Sequence, residues 1–554
     1  MSQRQEGRGS WCGLLAVALI GVPLAVLLGV STEARAPLTK GWTEQALTIL
    51  HTNDLHGQVH PREEGARSER GGLLALGRAI RAEREASLLA GRPVLLLDAG
   101  DFFQGTLEGD GSRGAVVVDW MNKLRYDAVT VGNHEFDFGP SVMTDLARRA
   151  EFPFLGANIR SEVTGQIPAW LGSQKGDPLD GSAVIRQVGA LKVAIIGLTT
   201  SDMKRVTAQG RTEGLSFQPE IEVLEKVLER VGEADLRVVL THCGLETDRA
   251  LAERFQTQID VIVGGHSHTR LEAGERVGRV LIVQAWKQSR CFGKVELRVT
   301  PGPRPGERPR VEAESSLIGT SSDLEAVLEP HLEQIGPEAN RVVAELGERL
   351  SVRPAPGRHS SALGDLVVDA LLSEGEADLA FHNRYGTRTS LPAGKVLYRH
   401  LYETLPFDNR LVTLTLTGAQ IEGLVSAYLD ETSAPLEISG ATVEFNPKNP
   451  KGQRLLSIRV LEFKPKIRPG QREPSRVVGS SPLDPQRTYR VATHDFLANG
   501  GDGHVGFKEA TKREDHKLTL REVVERYLST REGYLPSTQQ RWVRIAPAES
   551  PDGR

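Results

Sequence analysis

Cysteine is nearly absent from this chain of 554 residues, and the shortage restricts its chemistry. Only Cys12, Cys243 and Cys291 occur, which is too few for a disulfide framework or a cysteine-rich zinc site. Cys243 stands beside His242, where we expect a small buried packing residue rather than a metal ligand. Oxygen and imidazole donors are therefore the side chains left for any metal site.

A charge excess of either sign is also lacking. The formal net charge of -4 gives no general attraction to nucleic acid or to anionic lipid, so no nucleic-acid partner is expected and any phosphate recognition must be local. The apolar fraction of 39% and the charged fraction of 25% are typical of a globular protein. Because the chain is too long for one core, we expect two domains and a linker.

Long hydrophobic runs are limited to one, which lies near the N-terminus. Arg4 and Arg8 precede the apolar run at 12–30, and Ala-Arg-Ala at 34–36 has the form of a signal peptidase site. We expect residues 1–36 to be a signal peptide or, alternatively, an N-terminal membrane anchor. Either alternative places the domains outside the cytoplasm, in a periplasmic, extracellular or membrane-anchored protein.

Short apolar runs alternate with helical or loop segments between residues 46 and 300, which predicts a layered α/β domain. The clearest predicted strands are Leu47–Leu50, Val94–Leu97, Ala128–Val131, Val193–Ile196, Val238–Leu240 and Val261–Val263. Nearly all of them end at a polar motif. Because ligand sites in open α/β sheets lie at the carboxyl ends of the strands, we expect these motifs to converge.

Residues 301–350 are expected to form a linker with a connector helix. The Pro- and Gly-rich segment 301–309 predicts a surface hairpin tip or loop. A helix is predicted from Ser322 to about Leu350, beginning with a capping box of Ser322 and Glu325.

A second domain is predicted over residues 351–547. It is expected to open with a helix around Ala362–Leu372 and to continue through strands such as Leu411–Leu416 and Tyr489–Ala492. The sequence shows no internal repeats.

Polar residues with metal-binding side chains follow the predicted strands of the first domain. They are Asp54, His56, Asp101, Asn133, His242, His266 and His268. Carboxylate, amide and imidazole donors without thiolate suit one or two hard or borderline divalent metals used for hydrolysis. Taken singly, each motif has an ordinary alternative as a turn or a helix cap. Their joint occurrence at strand ends favours a metal site.

His134 and Asp137 lie in the motif Gly-Asn-His-Glu-Phe-Asp. The Asp137 carboxylate can orient the His134 imidazole and stabilise its protonated form, which favours proton donation to a leaving oxygen. The alternative is a turn in which Asn133, His134 and Asp137 satisfy backbone groups.

These motifs resemble those of the calcineurin-like metallophosphoesterases, and specifically the exported 5'-nucleotidase and UDP-sugar hydrolase family. The resemblance spans about Leu47 to Gln288 and Gly364 to Phe507. It implies a four-layer metallophosphoesterase β-sandwich flanked by helices, followed by a smaller α/β substrate-binding domain. It also implies two divalent metal ions of the zinc, manganese, cobalt or iron type.

The resemblance further implies a role for each motif residue. One ion would be held by Asp54, His56, Asp101 and His268, and the other by Asp101, Asn133, His242 and His266. His134 and Asp137 match the catalytic dyad of the family. The implied reaction is hydrolysis of nucleotide phosphate esters by a metal-bridging hydroxide, either as a 5'-nucleotidase alone or also as a UDP-sugar hydrolase.

The second domain carries the substrate contacts that the resemblance implies. They are Asn383, Arg388, Asn409, Phe496 and Asp502. Phe496 would stack on the base, Asp502 would bind the ribose and Arg388 would contact the phosphate. A glycine-rich loop such as the one after Phe496 is also a common structural feature.

Two departures from the family pattern occur in this domain. Arg384 and Tyr385 replace two glycines and are expected to add bulk and charge beside the phosphate pocket. Near Pro435 and Leu436 the chain lacks the second aromatic residue of the family, a loss of about 1 to 3 kcal/mol per stacked base. The histidines predicted to be ordinary polar or loop residues are His382, His494 and His504.

Alternative functions remain open at this stage. A 2',3'-cyclic nucleotide phosphodiesterase and a thiosulfohydrolase of a related exported family would use the same metal site. A non-enzymatic alternative is a nucleotide-binding surface protein with a vestigial metal site. The complete set of predicted ligands argues against a vestigial site, because a cluster of carboxylates and imidazoles is costly to bury without a cation. A small-molecule nucleotide is the expected partner, and the sequence does not indicate an oligomeric state.

Overall fold

The computed structural model describes residues 43–61, 71–172, 179–304, 306–320, 337–430, 434–464, 468–470, 476–531 and 533–545. The expected signal peptide or anchor at 1–36 and the predicted capping pair Ser322 and Glu325 lie outside these ranges. Within them, every helix is too short or too polar to span a bilayer.

The first domain contains the predicted strands and the helices between them. In chain order, strands β1 to β14 are Gln45–Thr52, Val94–Asp98, Ala128–Thr130, Phe154–Leu155, Ile159–Ser161, Ala183–Val188, Leu191–Thr199, Leu215–Phe217, Leu236–His242, Val261–Gly264, Glu275–Val277, Val280–Val283, Cys291–Thr300 and Arg310–Gly319. Helices α1 to α7 are Leu73–Leu89, Leu107–Gly111, Ala115–Leu124, Pro140–Arg149, Met203–Val206, Glu220–Arg230 and Leu245–Arg254. The six strands predicted from apolar runs are confirmed, with ends that differ by a few residues.

Two six-stranded sheets form the centre of this domain, in the orders β14-β13-β1-β2-β3-β4 and β11-β12-β10-β9-β7-β6. Strand β2 is apolar from Val94 to Leu97 because both of its faces are buried. Leu95 and Leu97 pack between the two sheets, whereas Leu96 faces the core shared with helices α1, α3 and α4. Helices α6 and α7 cover the other sheet. The expected four-layer arrangement of helix, sheet, sheet and helix is confirmed.

The second domain has its own strands and helices. Strands β15 to β25 are Val342–Leu346, Leu379–Asn383, Gly394–Leu397, Arg410–Thr417, Leu436–Ser439, Ala441–Phe445, Leu455–Lys464, Arg476–Pro482, Thr488–His494, Lys512–Thr519 and Trp542–Arg544. Helices α8 to α12 are Ala362–Glu374, Tyr398–Thr404, Gly418–Asp430, Asp495–Ala498 and Leu520–Ser529. The helix and the two strands predicted in this part of the chain are confirmed.

A five-stranded sheet with the order β19-β16-β23-β18-β24 organises the second domain. Helix α8 packs on one face of it and helix α10 on the other. Strands β16 and β23 are parallel neighbours, so their last residues, Asn383 and His494, lie at the same edge of the sheet.

The range expected to be a linker differs from its prediction. The Pro- and Gly-rich segment is a hairpin tip between β13 and β14, which pair from Cys291 with Gly319 to Thr300 with Arg310. The first sheet therefore extends past residue 300. Strand β14 was missed because it is an edge strand in which exposed polar residues predominate.

The helix predicted up to about Leu350 is wrong from residue 340 onward, although residues 337–339 are helical. Residues Val342–Leu346 form strand β15, which pairs antiparallel with Gly394–Leu397. The apolar residues with helical spacing that precede this strand, from Leu324 to Ile335, lie outside the described ranges. The short strand depends instead on a pairing partner about fifty residues later in the chain, which local periodicity does not reveal.

Candidate active site

The loops after strands β1, β2, β3, β9 and β10 meet at one end of the two sheets, where they bring the predicted metal-binding residues together. Three groups of His and Asp side chains have ligand atoms within 4.8 Å of one another. They are Asp54, His56 and His268; His56, Asp101 and His134; and Asp101, His242 and His266. The first and third groups are parts of the two ligand sets implied by the resemblance.

Most of these residues have an unusual backbone. Positive φ angles occur at Asp54 (49°), His56 (51°), Asp101 (57°), His266 (73°) and His268 (51°). Residues other than glycine rarely adopt this left-handed conformation, and each instance costs about 1 to 3 kcal/mol. Such strain persists only where surrounding contacts impose it. The tight turns direct five predicted ligands towards one point.

The first group has imidazole nitrogens arranged as for a cation. His268 Nε2 lies 3.1 Å from Asp54 Oδ1 and 3.0 Å from His56 Nε2. His56 Nδ1 lies 2.8 Å from the carbonyl oxygen of Gln104, which only accepts a hydrogen bond. The proton of His56 is therefore assigned to Nδ1, and its Nε2 lone pair faces the group.

The third group repeats this arrangement. His242 Nδ1 donates a hydrogen bond to the Ala99 carbonyl oxygen at 2.6 Å, and His242 Nε2 lies 3.0 Å from Asp101 Oδ2. His266 Nδ1 lies 2.9 Å from Asn133 Oδ1. A carboxylate, an amide oxygen and two imidazoles therefore share one small volume.

The buried donors fit divalent cations. Asp54 Oδ1 and His242 Nε2 are enclosed by protein without a well-formed hydrogen bond within the described residues, and the atoms beside them are other potential ligands, His268 Nε2 at 3.1 Å and Asp101 Oδ2 at 3.0 Å. An isolated buried carboxylate oxygen or imidazole nitrogen is unfavourable unless another group satisfies it. The mixture of oxygen and nitrogen donors suits hard or borderline divalent metals.

His134 is placed to act as a proton donor beside this cluster. Its Nδ1 lies 2.7 Å from Asp137 Oδ2, and its Nε2 lies 4.0 Å from Asp101 Oδ2. Burial by itself lowers the pKa of His134, but the Asp137 and Asp101 carboxylates outweigh it, so the pKa is raised. Phe407 of the second domain stacks on the ring at 5.6 Å between centroids.

Glu135 is an important residue that sequence reasoning passed over. Its buried carboxylate accepts hydrogen bonds from the backbone N–H groups of Asp101 at 2.8 Å, Phe102 at 2.9 Å and Gly132 at 2.7 Å. Burial, followed by the charge of Asp101, raises the pKa of Glu135 to about 8. The side chain ties the Asp101 loop to the loop that carries Asn133 and His134. Its place inside the Gly-Asn-His-Glu motif was the available signal.

Asn53 holds a second pair of loops. Its Nδ2 donates to Asp54 Oδ2 at 2.6 Å and to the Trp286 carbonyl oxygen at 2.7 Å, while its Oδ1 accepts from the Ala285 N–H at 2.7 Å. Gln284 acts similarly by donating to the Gly265 carbonyl oxygen at 2.9 Å. These side-chain amides fix the turns that carry Asp54, His266 and His268.

A cavity of about 550 Å³ joins the metal-binding cluster to the second domain. This volume is typical of a small-molecule site. The predicted site residues that line it are Asp101, Asn133, His134, Asp137, His266, His268, Asn383, Arg388, Asn409, Phe496 and Asp502. Asp54, His56 and His242 lie buried behind this surface. All predicted site residues are thus brought together.

The second domain contributes charged and aromatic groups to the cavity. Arg388 Nη2 lies 3.1 Å from His56 Nε2, so the guanidinium reaches the metal-binding cluster. Asn383 Nδ2 donates to Asp502 Oδ2 at 2.7 Å. Gly501 lies under the Phe496 ring so closely that a Cβ atom there would be 2.4 Å from it. The aromatic wall therefore depends on glycine at position 501.

The structure corrects the expectation for Arg384. Its Nε donates to Glu437 Oε1 at 2.7 Å, and its Nη2 donates to the His359 carbonyl oxygen. The buried Glu437 carboxylate compensates its charge, and Arg384 is not among the residues that line the cavity. The adjacent Tyr385 does line the cavity and is 61% exposed.

Comparison with known proteins gives a consistent picture. Residues 47–270 match the calcineurin-like phosphoesterase family, and residues 340–510 match the 5'-nucleotidase C-terminal domain. Snake venom 5'-nucleotidase of Naja atra is 28% identical over 509 residues, covering 83% of this chain and 92% of that protein. The trifunctional nucleotide phosphoesterase YfkN of Bacillus subtilis is 27% identical over 521 residues; the match covers 85% of this chain but only 33% of YfkN.

A solved structure shows the same two-domain architecture. The crystal structure of a 5'-nucleotidase precursor from Thermus thermophilus is 28% identical in sequence and superimposes with a TM-score of 0.75. The match covers 91% of this chain and 100% of the other.

We predict that Glu135→Gln weakens metal binding. A glutamine amide directs an NH₂ group at backbone donors and leaves at least one buried N–H unpaired, at about 1 to 3 kcal/mol. Residues that orient metal ligands typically contribute about 10- to 100-fold to affinity. Calorimetric titration of chelator-treated protein with Mn²⁺ measures the change. Glu222→Gln, at an exposed position on α6, is the control, and equal affinities in the two variants would contradict the prediction.

Proposed function

The chain belongs to the 5'-nucleotidase family, in which a calcineurin-like phosphoesterase domain precedes a 5'-nucleotidase C-terminal domain, and from this premise we propose that its substrates are nucleoside 5'-monophosphates. It is a hydrolase of nucleotide phosphate esters. The observation that carries the proposal is the single cavity shared by the metal-binding cluster and by Arg388, Phe496 and Asp502. The predicted signal segment at 1–36 supports action outside the cytoplasm.

We assign the ligands as two sets that share one residue. Asp54, His56, Asp101 and His268 would hold one ion, and Asp101, Asn133, His242 and His266 would hold the other. When bound, two divalent cations supply an activated water and neutralise charge on the phosphoryl oxygens. Zinc, manganese, cobalt and iron are all compatible with these donors.

His134 carries out the proton transfer to the leaving group in this proposal. The contact between its Nδ1 and Asp137 leaves Nε2 free to donate a proton to the departing nucleoside oxygen. The raised pKa of His134 keeps that proton available. Phe407 stacks against the ring and limits its rotation.

The second domain selects the nucleotide. Arg388, at the cluster end of the cavity, pairs with the phosphate, for which a guanidinium is well suited. Phe496 offers an aromatic face to the base, and Asp502 accepts hydrogen bonds from the ribose, while Asn383 and Asn409 line the same wall.

Tyr385 supplies a second aromatic surface in the proposed site. The Arg384 N–H donates to the Pro435 carbonyl oxygen at 2.8 Å, so Tyr385 lies beside the segment where relatives place an aromatic residue. Its ring lines the cavity and is largely exposed. This arrangement offsets the missing phenylalanine near Pro435.

The alternatives explain fewer of these features. A thiosulfate ester has no base or ribose, so a thiosulfohydrolase would leave Phe496 and Asp502 without a purpose. A cyclic nucleotide phosphodiesterase uses the same walls, and the substrate panel below separates it from a 5'-nucleotidase. A vestigial metal site does not account for the crowding of buried ligand atoms, such as Asp54 Oδ1 with His268 Nε2 at 3.1 Å and His242 Nε2 with Asp101 Oδ2 at 3.0 Å.

We predict that chelation abolishes hydrolysis and that Mn²⁺, Zn²⁺ or Co²⁺ restores it. The substrate panel is AMP, UDP-glucose, a 2',3'-cyclic nucleotide and an aryl phosphodiester, assayed by chromatography of the product of each: adenosine, UMP, the ring-opened nucleoside monophosphate or the aryl alcohol. AMP is expected to give the highest kcat/KM because its phosphate and its base can contact Arg388 and Phe496 in the same cavity. A higher value for the cyclic nucleotide would overturn the proposed preference, and activity that survives chelation would overturn the metal mechanism.

We predict that Asp101→Asn and His134→Ala each lose most turnover while the fold is retained. Removal of a general acid typically lowers kcat by about 10² to 10⁴, and loss of the shared ligand is expected to cost at least about 100-fold. Steady-state kinetics on AMP and thermal unfolding test both statements. Asp145→Asn, at a residue with a 74% exposed side chain, is the control. Near-normal kcat in either test variant refutes its assigned role.

We predict that Phe496→Ala raises KM for AMP and leaves hydrolysis of p-nitrophenyl phosphate unchanged. Loss of one base-stacking face removes about 1 to 3 kcal/mol, which is roughly 5- to 150-fold in KM. Tyr385→Ala is expected to shift KM in the same direction, because it removes the second aromatic surface. Parallel kinetics with both substrates make the comparison. Equal effects on the two substrates would indicate general damage to the cavity instead.

A further inference from the structure

Two imidazoles lie buried next to the substrate wall of the second domain. His382 in β16 and His494 at the end of β23 are both fully inaccessible to solvent. His382 Nδ1 lies 3.2 Å from His494 Nε2. Both residues lie in strands rather than in loops, and the proposed mechanism gives neither of them a role.

A chain of hydrogen bonds connects His494 to the cavity. His494 Nε2 lies 3.0 Å from Asn383 Oδ1, and Asn383 Nδ2 donates to Asp502 Oδ2 at 2.7 Å. Since Asn383 uses its NH₂ group on Asp502, its oxygen must face His494. An amide oxygen only accepts, so the proton of His494 is assigned to Nε2.

The surroundings keep this proton in one place. Burial lowers the pKa of His494 to about 3, and burial followed by the charge of His494 lowers the pKa of His382 well below its usual value. Both rings are therefore neutral, with a single N–H each. The His494 Nε2–H is then shared between two acceptors, His382 Nδ1 and Asn383 Oδ1. His494 therefore remains the donor in its hydrogen bond with Asn383.

The Asp502 side chain depends on a hydrogen bond from outside its loop, because the glycine-rich backbone of the loop constrains it weakly. Asp502 has a φ of 54°, and Gly500 and Gly503 on either side have φ angles of 78° and 85°. The glycines permit the turn without fixing it. The Asn383 amide donates a hydrogen bond to the Asp502 carboxylate, which also interacts electrostatically with His504, Arg205 and Arg388.

We infer that His494 is a positioning residue for nucleoside recognition, because its Nε2–H orients the Asn383 amide and the amide orients the Asp502 carboxylate that lines the cavity. His494 also lies parallel to Phe496, with 9° between the ring planes and 6.4 Å between centroids. One buried imidazole thus supports both the ribose-binding and the base-binding side of the wall. The inference rests on the proposed nucleotide substrate.

The test compares His494→Phe with His494→Gln in the full chain. Phenylalanine keeps the buried ring and removes the N–H, whereas glutamine keeps a donor at the end of a side chain of similar reach. His494→Phe is expected to raise KM for AMP by about three- to tenfold, the effect of one lost neutral hydrogen bond, with kcat within about twofold. His494→Gln is expected to recover most of this loss. Hydrolysis of p-nitrophenyl phosphate, which has no ribose, serves as the internal control and stays unchanged.

Direct binding separates this inference from the function it rests on. Calorimetry with adenosine is expected to show the same three- to tenfold weakening in His494→Phe. If the unmodified protein binds adenosine and hydrolyses AMP but His494→Phe does both equally well, the inference alone is overturned. If the unmodified protein neither binds adenosine nor hydrolyses AMP while it cleaves p-nitrophenyl phosphate, the nucleotide proposal itself fails.

A double-mutant cycle distinguishes positioning from a general structural role. If His494 acts through Asn383, the effect of His494→Phe on adenosine affinity disappears in an Asn383→Ala background. Thermal unfolding of all four proteins checks that they are folded. Should His494→Phe not fold, the smaller His494→Gln replacement and the Asn383→Ala single variant still measure the amide contribution. Additive effects in the cycle, or equal losses for AMP and p-nitrophenyl phosphate, overturn the inference.

Discussion

The whole site depends on one buried carboxylate, that of Asp101. Burial disfavours its charge, but the neighbouring His242 and His134 outweigh the penalty and hold the pKa of Asp101 well below its usual value. Its Oδ1 accepts from the His134 backbone N–H at 2.9 Å, and its Oδ2 faces His242. Asp101 thereby joins the two groups of potential metal ligands and fixes the start of the segment that carries His134.

Sequence alone predicted the parts of this molecule that follow local rules. Strands such as β2 are buried on both faces, so they appear as continuous apolar runs that end at polar motifs. Edge strands such as β14 are mostly exposed and resemble loops. Asp54 and His266 could be predicted as candidate ligands because their chemistry is distinctive. The role of Glu135 could not be predicted, because it depends on three N–H groups that only the folded loops bring together.

The second domain shows the same limit. Phe496 and Asp502 were found through a glycine-rich motif, but the buried partner of Arg384 lies over fifty residues away, in Glu437. No local pattern predicts that such a charge turns from the cavity. The histidines of this domain were overlooked for a similar reason. A single histidine in a strand does not by itself indicate a function. The inferred role of His494 depends on its contacts with Asn383 and His382, which the fold brings together.

The left-handed turns at the predicted ligands carry an evolutionary consequence. A glycine at position 54, 56 or 268 would relax the backbone and remove the donor in the same step. Thermal robustness and metal affinity therefore favour opposite residues at these positions. Selection of variants for heat resistance alone would therefore favour a more stable fold that binds the cations less tightly. Selection for turnover is what maintains the strained backbone at these positions.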